Sequence, residues 1–201
     1  MNIKFSLEEG YLIGADKKLA KIIHQNGPIY FSSRKSDPFD SLIGIIVSQF
    51  ISAKAASGIK VKILKNFNKS NFQLEDFKKL EIQEIKQLGV SLNKAKSIKS
   101  VVEYFEKLNI KKEIFKLTDL EREFELSNIF GIGPWSIDMF EIFCVKNKNR
   151  FSSGDAALRA AMLKLKMVRE GSNYSDYEIY AEKWHPYKTH ASLHLWKFIE
   201  S

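Results

Sequence analysis

The chain has 201 residues, 44% of them apolar, and a formal charge of +8. That length suits one domain or two lobes sharing a core, and the charge favours a polyanionic partner, although lysine so outnumbers arginine that compositional bias contributes. One cysteine, Cys144, excludes an internal disulfide, a four-cysteine zinc site and an iron–sulfur cluster, and no run reaches the roughly 18 apolar residues of a membrane helix. An intracellular protein of a reducing compartment, soluble and with no membrane partner, is therefore expected, with Cys144 as a small buried hydrophobe.

Leu12, Ala15, Leu19, Ile22 and Ile23 fall at helical spacing and predict one amphipathic helix over 11–25, stopped by Gly27 and Pro28. A polar loop over 29–37 closes on Asp37 and Pro38, a cap followed by proline at the first helical position. The apolar run 42–47 behind it could equally be a buried strand. The cap before it and the helical pattern after it decide for a helix, apolar on nearly every face and central to the structure. Ser48, Gln49 and Phe50 at its end are either a surface exit or side chains delivered into a pocket.

Residues 53–67 predict an amphipathic helix with Lys54, Lys60, Lys62 and Lys65 on a solvated face. Residues 74–88 read as one helix ended by Gly89. A further helix places Ile98, Val101, Val102, Phe105 and Leu108 on one stripe, and a connection runs over 111–119.

There follows I-F-G-I-G-P-W-S-I, in which Gly131 and Gly133 separate two helical segments, the second opening on Pro134. Glycines allow a tight turn and the close approach of another molecule. The helix opening at Pro134 and Trp135 presents the positive end of its dipole, which suits a phosphate. Such contacts hold nucleic acid without reading its sequence. Alone, a G-x-G pair most often makes only a turn.

Trp135, Ile137, Met139, Phe140, Ile142 and Phe143 form an apolar set expected to be largely buried, core packing being the ordinary role of such a tryptophan. Asp155 stands between a small-residue loop and a helix predicted over 156–166, where by itself it reads as an N-cap. The tail is expected as two helices broken at Pro186. His190 and His194 lie one turn apart without a third ligand, so they read as packing or polar-rim residues and no metal site is assigned.

Taken in order, S-Q-F-I-S-A-K-A-A, L-G-V-S-L-N-K-A-K-S-I, F-G-I-G-P-W-S-I, F-S-S-G-D-A-A-L-R and A-E-K-W-H-P-Y-K-T-H-A-S-L-H-L-W carry a resemblance. The chain resembles the helix-hairpin-helix (HhH-GPD) superfamily of DNA base-excision glycosylases, and most closely the 3-methyladenine DNA glycosylase II branch. The resemblance implies an all-α fold of two helical lobes flanking an active-site cleft, one formed by residues 39–149 and the other by 1–38 with 150–201. It also implies a minimal enzyme without the N-terminal β domain of some relatives.

The same resemblance implies Asp155 as the catalytic carboxylate and Trp135, Trp196, Gln49 and Met139 as substrate-binding residues. Gly131, Ile132, Gly133, Pro134 and Ser136 would grip DNA, and Phe50 would fill the gap left by a flipped base. No cofactor is expected beyond a monovalent cation held by hairpin carbonyls. The expected partner is double-stranded DNA containing damaged bases, met by a monomer in the cytoplasm at the nucleoid. Relatives that also cut the backbone carry a lysine nucleophile two residues after the second glycine; Trp135 stands there, which implies a monofunctional hydrolase acting on alkylated purines such as 3-methyladenine and 7-methylguanine.

Three features depart from the family pattern: Ser152-Ser153-Gly154 in place of a proline-containing lead-in, Met139 where some relatives have an aromatic residue, and a bulkier Phe50. Two alternatives stand beside the main reading. One is a glycosylase for another lesion, 8-oxoguanine or ethenoadenine; the other is a non-catalytic DNA-binding module using the hairpin alone.

Overall fold

The computed structural model describes residues 4–107 and 113–200. Leu108 and the start of the connection at Lys111 lie outside the described residues. The described residues form helices α1 (Leu7–Ala15), α2 (Lys17–Asn26), α3 (Pro38–Ser48), α4 (Ala53–Phe67), α5 (Leu74–Lys78), α6 (Ile82–Gln87), α7 (Leu92–Lys107), α8 (Asp119–Ser127), α9 (Pro134–Phe140), α10 (Ala156–Lys164), α11 (Tyr174–Ala181) and α12 (Lys188–Glu200), with no strand among them. The chain is all-α and divides into two compact units, Met1–Arg34 with Lys146–Ser201, and Lys35–Val145. No helix among the described residues is long and apolar enough to cross a membrane.

In the unit spanning 35–145, α3 is the central element. The Asp37 carboxylate accepts the Asp40 N–H at 3.0 Å and Pro38 occupies the first turn, so the cap read from the sequence sets the start. Phe39, Leu42, Ile43, Ile46 and Val47 are fully buried, each stabilising the fold by roughly 1.5–3 kcal/mol. Helices α4, α7 and α9 pack on α3, and α7 contributes Ile98, Val101, Val102 and Phe105 to the core.

The single helix expected over 74–88 is two. Phe77 is buried against the rings of Phe39, Phe67 and Phe72 at 6.0, 5.1 and 6.0 Å. The chain turns just after it, the Leu80 carbonyl taking a hydrogen bond from Lys99 Nζ at 2.8 Å. Glu81 then opens α6, its N–H donating to Glu84 at 2.7 Å.

In the other unit α10 packs on α12, α12 on α2 and α1 on α2. The expected helix 11–25 is also two helices, because Asp16 ends one and starts the next. Its N–H donates to the Leu12 carbonyl, its Oδ1 accepts the Lys18 N–H at 2.8 Å, and its Oδ2 accepts the buried Trp184 Nε1–H at 3.0 Å. Helix α10 ends two residues before the expected position; Lys166 has φ +52° and its carbonyl accepts a bond from the Lys18 ammonium. The break expected at Pro186 is present, with a short 3-10 turn (Glu182–Trp184) before it.

His190 and His194 are buried, not on a polar rim. His194 lies in a closed network: its Nε2 is 3.1 Å from Glu9 Oε1 and its Nδ1 is 3.2 Å from Asn26 Nδ2. Glu9 also accepts the N–H groups of Ser6 and Ile29 at 2.8 and 2.7 Å. Burial holds the His194 pKa below its ordinary value, with Glu9 opposing, and burial does the same at His190. The unfolded chain therefore binds protons first as pH falls. This stability is complete above the unfolded value near 6.5 and is lost as pH falls below it through the folded value. Thermal unfolding measured from pH 7.5 to 5.5 should show a falling midpoint, and His194→Gln should flatten the decline.

Candidate active site

The hairpin is formed by α8, the turn 128–133 and α9. Thr118 and Glu121 make a reciprocal cap at the start of α8, Glu121 N–H to Thr118 Oγ1 at 3.3 Å and Thr118 N–H to Glu121 at 2.8 Å. Gly131 has φ +83°, a conformation that side-chain-bearing residues adopt only at a cost. A Cβ there would lie 1.9 Å from Ser97 Oγ and 2.7 Å from Ser97 Cβ. Gly131→Ala is accordingly expected to lower stability by more than about 2 kcal/mol. Ser97→Ala should not rescue it, because the Cβ clash remains; urea unfolding of both variants checks this. Gly133 has φ −106°, so only the first glycine is required by backbone conformation. Pro134 carries no N–H, which leaves the amides from Trp135 onward as donors at the head of α9.

Gln49, at the end of α3, reaches the same turn. Its Nε2 donates to the Gly131 carbonyl and to Ser136 Oγ, both at 2.8 Å. The amide read as either surface exit or pocket group thus ties α3 to the hairpin. Phe50 follows with φ +56° and a fully exposed ring. Left-handed backbone costs a non-glycine residue about 1–2 kcal/mol, and water disfavours the bare ring. Neither preference explains the placement locally, and such outliers cluster at functional sites.

Met139, Ile132 and Ser136 are buried, so none of the three presents its side chain to solvent. Trp135 is half-buried and Phe143 exposed; the apolar set 135–143 is therefore less completely interior than its composition suggested. A π-turn, Glu141–Val145, continues α9 and places Glu141 against Arg122 of α8. Arg122 Nε and Nη2 donate to the Glu141 carboxylate at 2.5 and 3.1 Å, with both side chains buried. The pair spans 19 residues, and an acid inside the run F-E-I-F is its one signal in the sequence. Cys144 is buried, its thiol donating to the Ser36 carbonyl at 3.4 Å.

Asp155 and Trp196 lie in the unit formed by residues 1–34 and 146–201. Asp155 is the N-cap of α10, Oδ1 accepting the Leu158 N–H at 2.9 Å. The same oxygen accepts the indole Nε1–H of Trp196 from α12 at 3.0 Å. In the lead-in to this cap, Arg159 donates to the Ser153 carbonyl at 2.8 Å and Ser153 to Glu178 at 2.6 Å. The loop without proline is therefore held by side chains. The described residues contain no group of three or more metal-ligating side chains.

Residues 43–186 match the model of the HhH-GPD superfamily of base excision DNA repair proteins, and the chain belongs to that superfamily. The chain is similar to DNA-3-methyladenine glycosylase 1 of Schizosaccharomyces pombe, at 27% identity over 94% of this chain and 85% of that protein. Among solved structures it resembles a DNA-3-methyladenine glycosidase from Bacillus halodurans (29% identity, TM-score 0.76, covering 98% of this chain and 90% of that one). It shares its fold with the S. pombe 3-methyladenine DNA glycosylase Mag1 in complex with abasic DNA (23% identity, TM-score 0.88, 98% of each chain).

Proposed function

We propose that the chain is a monofunctional DNA glycosylase that hydrolyses the N-glycosidic bond of alkylated purines in duplex DNA, leaving an abasic site. The observation that carries the reading is Asp155, capping α10 with its carboxylate oxygen fixed by the Leu158 and Trp196 N–H groups, in a chain of this superfamily. Relatives named as 3-methyladenine glycosylases support the substrate class.

A stacked base is out of reach, so the nucleotide is flipped out, at a cost of a few kcal/mol that is smaller for damaged bases. Phe50 fills the vacancy as an apolar wedge, a use that accounts for its exposed ring and left-handed backbone. Methylated purines carry positive charge, which an indole face attracts by about 0.5–2 kcal/mol; Trp135 and Trp196 supply such faces. As the glycosidic bond breaks, the sugar takes on oxocarbenium character. The Asp155 carboxylate stabilises that charge and orients the attacking water. Trp135 occupies the position of the lyase lysine, so no Schiff base forms with the sugar.

A monovalent cation at the hairpin would be held by backbone carbonyls, uncharged hard oxygen donors. The Ile129 and Gly131 carbonyls each accept one hydrogen bond, from Ile132 N–H and Gln49 Nε2, and a carbonyl has a second lone pair for an ion.

Incubation with duplex carrying 7-methylguanine, followed by separation of free base and of strands with and without alkali, tests the reading. Free 7-methylguanine with strand cleavage only after alkali supports it; cleavage without alkali refutes the monofunctional mechanism. Phe50→Ala should slow release by about tenfold or more. Because that ring is exposed, the unfolding free energy should change by no more than about 0.5 kcal/mol.

A further inference from the structure

We propose that Trp196 is a positioning residue that acts on Asp155 through its indole N–H, a role separate from any stacking of its ring on the base. The inference rests on the glycosylase reading above.

Two donors converge on one oxygen of Asp155. The Leu158 amide belongs to the helix that Asp155 caps, three residues on, and any N-cap carboxylate receives such a bond. The Trp196 bond has a different origin: it comes from α12, 41 residues away in sequence, at 3.0 Å. A donor on a separate element ties the carboxyl group to α12 as well as to its own helix, and so constrains where the carboxylate is aimed.

The indole is itself well anchored. Its ring packs against the core formed by Leu19, Ile22, Leu158, Met162 and Leu195, and the adjoining stretch of α12 is buried at Ala191, Ser192, His194 and Leu195. The partly buried ring thus brings its N–H to Asp155 from a helix anchored in that core. Hydrogen bonds to a charged acceptor are among the strong ones, and fixed donors around a catalytic carboxylate require no reorganisation as charge develops on the sugar. Phenylalanine or tyrosine would offer a base a ring to stack on but could not place a donor at this distance from the carboxylate.

The test uses two variants of the full chain. Trp196→Phe keeps an aromatic ring. Replacement of Trp196 by 3-benzothienylalanine keeps the bicyclic shape, and so the packing, while exchanging the N–H for sulfur. Single-turnover release of 7-methylguanine, affinity for the same duplex and thermal unfolding are measured for each. The expected result is a rate lower by roughly tenfold to a hundredfold in both variants, with duplex affinity within about twofold of wild type. The benzothienyl variant should keep the native unfolding midpoint, which separates the effect from misfolding.

Wild-type rates in the benzothienyl variant, or a loss expressed only as weaker duplex binding, would overturn the inference and leave the ring as a stacking surface. An inert wild-type protein would instead overturn the glycosylase reading, and the inference with it.

Discussion

Asp155→Asn is expected to fold as the native chain does and to release methylated purines about a thousandfold more slowly. Asparagine is as good an N-cap as aspartate, and its carbonyl oxygen can still accept the Leu158 and Trp196 N–H groups that now meet at Oδ1. What disappears is the negative charge. The variant thus separates the two roles of the residue: capping survives, while stabilisation of the electron-poor sugar does not. Circular dichroism and duplex affinity should match wild type in the same preparation whose single-turnover rate has collapsed. A variant retaining a tenth or more of the wild-type rate would remove Asp155 from the chemistry and leave it as a cap.

The largest expected effect on stability lies at Arg122 and Glu141. Their bidentate contact joins α8 to the π-turn after α9, and the Leu117 carbonyl and Asp119 carboxylate take two further guanidinium bonds at 2.5 and 2.6 Å. Burial opposes the charged form of Arg122, but Glu141 and Asp119 together raise its pKa. Glu141→Ala leaves the buried guanidinium paired only with the exposed Asp119 carboxylate, so it should cost about 3 kcal/mol, a large share of the roughly 5–15 kcal/mol that holds a domain folded. Replacing both with apolar residues of similar volume, Arg122→Met with Glu141→Leu, should recover most of the loss. Urea unfolding of the single and double variants decides this. Equal losses would mean that the pair is needed for more than charge balance.

What could be read from the sequence follows the range of the interactions involved. The starts of α3 and α9 are written in local chemistry, at Asp37 and Pro38 and at Gly133 and Pro134, and the start of α4 in its helical pattern, so caps and periodicity place them. The boundary between α1 and α2 is hidden because both helices turn apolar residues to one core, so their pattern runs on through Asp16; Asp16 itself, the N-cap of α2 accepting the Lys18 and Leu19 N–H groups, is the local signal that separates them. The break after Phe77 depends on an aromatic cluster that draws on Phe39, which no window of sequence contains.

The site divides in the same way. The cap role of Asp155 is local, set by the helix that follows it. The hold of Trp196 on it spans 41 residues, and the bond from Gln49 to the hairpin spans 82. The partners Glu9 and His194 stand 185 residues apart, and pairing at that range exists only once the chain has folded. Glu9 accordingly gave no signal in the sequence, and His194 could be read only as a packing or polar-rim residue.

The most direct test of the central claim is single-turnover release of free base from otherwise identical duplexes carrying 3-methyladenine, 7-methylguanine, ethenoadenine or 8-oxoguanine. The two methylated purines are expected to be released fastest, with every strand intact until alkali is added. Excision confined to 8-oxoguanine or ethenoadenine, or tight duplex binding without release of any base, would contradict an alkylpurine glycosylase.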